Sequence, residues 1–227
     1  MKPLLVVLAT AAALALAACG GNDDDAAPLA LEQRVASAQD APDSKPDPVE
    51  KRITAQSTRQ FIERMSDAFI NPTQEDRTEF EESGFLRAIR DTRFIPETPG
   101  GPHTPEAPHI FTLVSQFESE DGAETGLDLG HRDSLRPCPE RCAQQVSEFD
   151  VDGVPDAFGV RRYATAESLE ETGEEGEPHD SYEIHFADGP FAYRITLSGG
   201  IGEVSEEELE EIARRLYERV AGAPALA

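Results

Sequence analysis

The sequence predicts a single α+β domain over residues 53–222, in which an antiparallel sheet of about five or six strands packs with N-terminal and C-terminal helices. The clearest strand signal is a hairpin. Apolar and polar side chains alternate over residues 181–186 and again over 191–197, on either side of a turn at 187–190. The clearest helix signal is the apolar stripe of Leu209, Ile212 and Leu216 near the C-terminus.

The domain is expected to begin with two helices. Apolar residues at helical spacing predict the first over residues 58–70, where Asn71-Pro72 stops it. A second helix is expected over 73–83, ending before Gly84. Residues 85–94 fit a strand better than a helix, and the proline-rich stretch 95–108 predicts an extended loop.

The remaining elements alternate between short strands and helices. Residues 109–117 have strand periodicity, and Ser119 can cap a short helix that ends at Gly130. Strands are expected over 146–151 and 158–164, separated by a turn. Ser205 and Glu208 form a capping box for the last helix, which ends near Gly222.

The first eighteen residues have the layout of an export signal. One basic residue, Lys2, precedes a fifteen-residue apolar run, which is shorter than the roughly 20 residues of a membrane-spanning helix. The ending Leu16-Ala17-Ala18-Cys19-Gly20 resembles the lipobox of bacterial lipoproteins. This resemblance implies cleavage before Cys19, lipid on that cysteine and a membrane partner on the outer face of the cell membrane. The alternative is an ordinary secretory signal.

Residues 19–52 are expected to form a lipidated and disordered tether. The stretch contains three consecutive aspartates and four prolines but few large apolar side chains. Such a segment buries too little surface to offset the entropy lost on ordering. The exception is a weakly supported short helix near residues 31–38.

The charge of the chain excludes one class of partner. The formal net charge is -25, from 45 acidic and 20 basic residues. Binding to nucleic acid or to anionic lipid needs clustered lysine and arginine. We therefore expect neither nucleic acid nor an anionic lipid surface as a partner, and any protein or small-molecule partner is left unspecified.

Several segments are similar to small extracytoplasmic lipoproteins of unknown function from high-GC Gram-positive bacteria. The segments are Ser83-Gly84-Phe85, residues 117–123, the hairpin residues 186–193 and residues 212–217 of the last helix. The resemblance implies an exported sheet-and-helix domain, which could be PsbP-like. It implies no catalytic residues and no cofactor.

Cys138 and Cys142 are the cysteines that follow Cys19. In an oxidising compartment outside the cell, a disulfide between them is the favoured interpretation. Pro139 suits the first position of a helix, so Cys138 could act as a nonhelical cap close enough to Cys142. A redox-active pair and a metal site are the two alternatives.

The histidines and acidic clusters give weaker indications. No zinc-binding HExxH and no nucleophilic GxSxG motif is present, so the sequence predicts no metal ligand and no catalytic residue. His179 and His185 could form a pair, although solvated histidines are the simpler reading. Calcium could bind the acidic loop 167–180 or the aspartates near Gly153. The alternatives are a flexible solvated loop for the first segment and an ordinary turn for the second.

These observations favour a membrane-anchored binding or cell-envelope accessory domain without enzymatic activity. The alternative is a hydrolase or a thiol-redox enzyme whose site is assembled from residues that show no motif. A calcium-dependent module is a third possibility.

Overall fold

A computed structural model describes residues 29–50, 52–65, 73–97, 101, 103–104, 107–136, 143–173 and 176–224. The expected signal peptide and the predicted lipidation and disulfide residues Cys19, Cys138 and Cys142 lie outside these ranges. The strands are β1 (Lys45–Pro46), β2 (Ile53–Ala55), β3 (Phe85–Phe94), β4 (His109–Phe117), β5 (Gln145–Phe149), β6 (Phe158–Ala164), β7 (His179–Asp188) and β8 (Phe191–Gly200). The helices are α1 (Thr58–Arg64), α2 (Gln74–Glu82), α3 (Glu120–Ser134), α4 (Ala166–Thr172) and α5 (Glu206–Val220).

The strands form one antiparallel sheet, which confirms the predicted α+β class. The order is β1-β3-β4-β8-β7-β6-β5, and β2 pairs with β3 beside β1. The expected number of five or six strands is too low, because the described residues contain eight. The two missed strands, β1 and β2, are two and three residues long, too short for alternation to reveal them.

The long helix α3 lies closely against the sheet because glycine replaces larger side chains on its inner side. A Cβ atom at Gly126 would come within 2.3 Å of the Phe117 ring. The helix continues four residues beyond Gly130, the predicted end, and Gly130 faces His185 of β7. Glycine weakens a helix by about 1 kcal/mol, so the close approach explains its place here.

The two faces of the sheet are covered differently. One face, which we call the α5 face, packs against α5 and an N-terminal segment, and it contains the larger apolar core with Ile184, Tyr193 and Ile195. The opposite face, the α3 face, carries a smaller core under α1, α2 and α3, with Phe61, Phe80 and Phe117 in contact. The smaller core covers only part of its face.

The N-terminal segment corrects the predicted tether. Residues 29–50 pack against the domain, and Leu31, Val35 and Ala36 are buried in the larger core. A short 3-10 turn at Leu31–Gln33 stands where a helix was weakly expected. The prediction failed because small apolar residues spaced among prolines and aspartates resemble a disordered sequence, although an open sheet face can still bury them.

Arg34 fixes this segment to the sheet. Its side chain is fully buried, stacks 3.7 Å above the Phe191 ring and donates a 2.9 Å hydrogen bond to the Tyr193 hydroxyl. It also donates to the backbone carbonyls of Ala223 and Pro224. Burial raises the pKa of Tyr193 to about 12. One arginine therefore joins the N-terminal segment, β8 and the residues after α5.

The acidic stretch 167–180 is partly helical, which corrects the expected flexible loop. Thr165 caps α4, and the Leu169 side chain of this helix packs against Ala143 and Ala164.

Among the described helices, none is long and apolar enough to cross a membrane.

Candidate functional site

The uncovered part of the α3 face forms a cleft of about 360 Å3. This volume lies within the usual range of about 300–1,000 Å3 for ligand pockets. Strands β3, β4, β6, β7 and β8 build the walls, with Gln144 before β5. The residues that line the cleft are Arg90, Phe111, Leu113, Gln144, Arg162, His179, Ser181, Glu183, Arg194, Thr196 and Ser198.

The lining combines an apolar wall with a positive charge. Phe111 and Leu113 of β4 supply the apolar wall. Among the described residues that line it, three arginines and one glutamate give a formal surplus of two positive charges, although the whole chain carries -25. The described lining therefore has the opposite sign of charge from the chain as a whole.

Strand register brings these charges together. Glu183 of β7 lies opposite Thr196 of β8 and Val160 of β6, while Arg194 lies opposite His185. Because side chains alternate between faces, Glu183 and His185 of β7 and Arg194 and Thr196 of β8 project to the α3 face. Their apolar neighbours project to the α5 face. The polar residues of the alternating pattern that predicted the hairpin thus also line the cleft.

Glu183 lies at the floor and is 3% exposed. One oxygen, Oε1, lies 2.9 Å from Nη2 of Arg194 and 3.2 Å from Nε of Arg162. The other, Oε2, accepts a 3.0 Å hydrogen bond from Ser134 Oγ and lies 3.2 Å from Nε2 of His185. We call these five residues the Glu183 network. Every carboxylate oxygen in it has partners, as a buried charge requires.

The network sets the protonation of its members. Burial alone would raise the pKa of Glu183, but Arg194, His185 and Arg162 outweigh it and hold the pKa well below its usual range. Burial lowers the pKa of His185 to about 4, although the hydrogen bond that His185 donates to Glu183 acts to raise this pKa. His185 is therefore neutral at pH 7, and its Nε2–H donates to the ionised carboxylate, which can only accept.

Arg162 links the floor of the cleft to the end of α3. Its Nη2 donates to the carbonyl of Ser134 at 2.5 Å, and to that of Asp133 at 3.5 Å. The last carbonyls of a helix lack intrahelical partners and carry a partial negative charge. A guanidinium in this position stabilises the helix end and is itself held in place.

Ser134, His185 and Glu183 contain the residue types of a catalytic triad but not its geometry. In a triad the serine and the carboxylate bind different ring nitrogens. Here both approach Nε2 of His185, with Ser134 Oγ at 3.4 Å, and the serine donates to the carboxylate. All three residues are buried. This cluster therefore does not provide an activated serine for the hydrolase alternative.

The alternative pairing of His179 with His185 is not formed. Six residues of strand separate the two, which at about 3.4 Å per residue is roughly 20 Å. His179 lies at the far end of the cleft, whereas His185 is fully buried and stacks on Phe158 at 4.7 Å. Reading His185 as solvated was also wrong, because α3 covers the polar face of β7 at this position.

The other sequence-based site predictions have different outcomes. Cys19, Cys138 and Cys142 stay predictions, because they lie outside the described residues. Within the described ranges, the acidic residues near Gly153 and in 167–180 do not assemble a three-ligand cation site.

The cleft arginines were missed by the sequence reasoning. Arg90, Arg162 and Arg194 share no motif. Only Arg194 gave a signal, since it is a charged residue of a predicted strand between Tyr193 and Ile195, which project to the opposite side. Arg162 follows another arginine and shares its side of the strand with Val160 and Ala164, so the pattern did not single it out.

Comparisons with known proteins place the chain in no family. No family model matches it, and no curated protein matches it. Among solved structures, it is similar to the crystal structure of the extracellular domain of PknH from Mycobacterium tuberculosis. The match has a TM-score of 0.44 and 12% identity, and it covers 78% of this chain and 84% of that one.

The buried state of His185 predicts a stability loss in mild acid. Its pKa is about 4 when folded and about 6.5 when unfolded, so between these values the unfolded state binds the extra proton and stability falls with falling pH. We expect the free energy of unfolding to drop by about 2 kcal/mol from pH 7 to pH 5 through this residue. Urea unfolding at a series of pH values measures it.

His185→Gln is the control, because glutamine keeps a donor toward Glu183 but does not titrate. The variant should lose much less stability over the same pH range. An equal loss in both proteins would show that His185 is not responsible.

Proposed function

We propose that this chain is a membrane-anchored, extracytoplasmic binding domain whose cleft takes a small organic anion. The observation that supports this most is the positive charge of the cleft in a strongly acidic protein. The described lining of three arginines and one glutamate beside an apolar wall suits an anionic ligand with an apolar part, because guanidinium groups recognise carboxylates and phosphates.

Two of the arginines are placed to reach a ligand. The side chains of Arg90 and Arg194 are 14% and 17% exposed, whereas Arg162 is 6% exposed and held by Glu183 and the end of α3. Glu50 lies 3.9 Å from Arg90, but its own side chain is 44% exposed. A ligand carboxylate or phosphate could take the place of Glu50 at Arg90.

The rest of the lining indicates the ligand class. Phe111 and Leu113 suit an alkyl or aromatic group, and the hydroxyls of Ser181, Thr196 and Ser198 can donate to further oxygens. A ligand with one anionic head and a short apolar body fits this combination. The volume of the cleft limits it to the size of a small metabolite.

The membrane anchor belongs to the same proposal. Lipid on Cys19, as the lipobox-like sequence implies, would hold the protein on the outer face of the membrane. The described domain begins at Leu29, ten residues after the cysteine, so the linker can span at most about 35 Å. This is shorter than the tether predicted from sequence, and it would keep the cleft close to the membrane surface.

The cleft proposal predicts charge-dependent binding of small anions. Isothermal titration calorimetry with octanoate, phenylacetate, succinate and phenyl phosphate should detect 1:1 binding of at least one. Arg90→Gln should weaken that binding by about 10- to 100-fold, the effect of losing a charged hydrogen bond of about 1.5–3 kcal/mol.

Arg87→Gln is the matched control, because Arg87 lies on the same strand but on the α5 face, where it bonds Gln116. It should change the affinity less than twofold. Binding of none of the four anions, or equal weakening by both variants, would contradict the proposal.

The anchor proposal predicts that Cys19→Ser releases the protein from the membrane. A single buried methylene contributes about 0.8 kcal/mol, so loss of the acyl chains removes most of the membrane affinity. Fractionation of cells that express each variant measures the distribution. Cys138→Ser should stay in the membrane fraction, and a Cys19→Ser protein that stays there as well would refute anchoring by lipid.

A further inference from the structure

Asp47, His103 and His109 bring one ligand atom each to a common point at the start of β4. Asp47 Oδ2 lies 3.4 Å from Nε2 of His103 and 3.1 Å from Nε2 of His109. The two Nε2 atoms are 3.4 Å apart. Among the described residues, this is the group of three histidine, cysteine or acidic side chains whose ligand atoms converge.

The size of this triangle matches metal coordination. Zinc binds histidine nitrogen and carboxylate oxygen at about 2.0–2.1 Å in a tetrahedral arrangement, which places ligand atoms about 3.3–3.4 Å from each other. The three measured edges are 3.1, 3.4 and 3.4 Å. Two imidazoles and one carboxylate are also a common ligand set for divalent first-row transition metals.

The ligands are held in place by partners that leave the converging atoms available. Asp47 Oδ1 accepts hydrogen bonds from the backbone N–H groups of Val49 and Glu50, so the carboxylate turns Oδ2 toward the histidines. The His103 ring packs edge-on against Phe94 at 5.0 Å. Such orientation of ligating groups by second contacts is typical of metal sites.

Burial differs among the three ligands in a way that suits an ion with an open position. The Asp47 side chain is 1% exposed, while His103 and His109 are 18% and 20% exposed. The group is thus closed on the carboxylate side and reachable from solvent on the histidine side. Three protein ligands with a fourth position for water are the arrangement of reactive rather than purely structural zinc sites.

We propose that Asp47, His103 and His109 bind a divalent first-row transition metal ion, with Zn²⁺ as the probe, and that water completes the coordination. The ion would join the N-terminal segment, the proline-rich loop and β4. This site does not depend on the function proposed for the cleft. It lies next to the cleft, however, because His109 pairs with Ser198 and is two residues from Phe111.

No sequence motif could have revealed this site. His103 and His109 are six positions apart, and Asp47 comes from a segment expected to be disordered. The ligands meet because β1 and β4 both pair with β3, one on each side, near Phe94.

The experiment is a titration of chelator-treated protein with Zn²⁺ in a calorimeter. We expect 1:1 binding with a Kd below about 10 µM, and a melting temperature raised by roughly 5 °C or more at a 100-fold excess over Kd. His109→Gln and Asp47→Asn should each weaken binding at least tenfold. His103→Gln changes a loop residue, so it provides a second test of histidine ligation if His109→Gln in β4 fails to fold.

His131→Gln is the matched control, since His131 is a partly exposed histidine that pairs with Glu148 elsewhere. It should bind Zn²⁺ like the wild type. X-ray absorption of the zinc protein should show nitrogen and oxygen neighbours at about 2.0–2.1 Å. Absence of 1:1 binding, unchanged affinity in the three ligand variants, or sulfur neighbours at about 2.3 Å would overturn the proposal.

Discussion

The carboxylate of Glu183 is removed from water together with two guanidinium groups, and the arrangement of the α3 face depends on how these charges satisfy one another. Breaking a buried ion pair by removing one partner costs about 3–5 kcal/mol. The Glu183 network avoids this cost with contacts to both carboxylate oxygens. It also joins three strands to the end of α3, because Arg162 of β6 donates to the helix carbonyl of Ser134.

This constraint explains how a charged cleft persists beside the apolar core of the α3 face. Arg194 is fixed by Glu183 from within, so its exposed part does not have to be ordered by a ligand. A site that is ordered in advance loses less entropy when it binds. The α5 face differs, because its larger core consists of apolar side chains. The α5 face therefore carries most of the apolar packing, whereas the α3 face carries the charged cleft.

Much of the fold followed from periodicity, while the sites did not. The hairpin β7–β8, strand β4 and helix α5 were predictable because one face of each is apolar and their ends carry turn or cap residues. The packing of residues 29–50 was not, since Arg34 finds its partners 157 and more positions later in the chain. The cleft and the Asp47 cluster depend on strand order, which alternation does not encode. Local pattern gives the elements, but long-range pairing decides which polar residues meet.

The most direct test of this account is the protonation of Glu183, followed by carbon-13 NMR of its side-chain carboxyl between pH 7 and pH 3. If Arg194 and Arg162 hold the carboxylate as described, its chemical shift should stay that of the ionised form over the whole range in which the protein remains folded. A protonation midpoint at or above the ordinary glutamate value of about 4.3 would contradict the account, because the arginines would then not outweigh the effect of burial on the carboxylate.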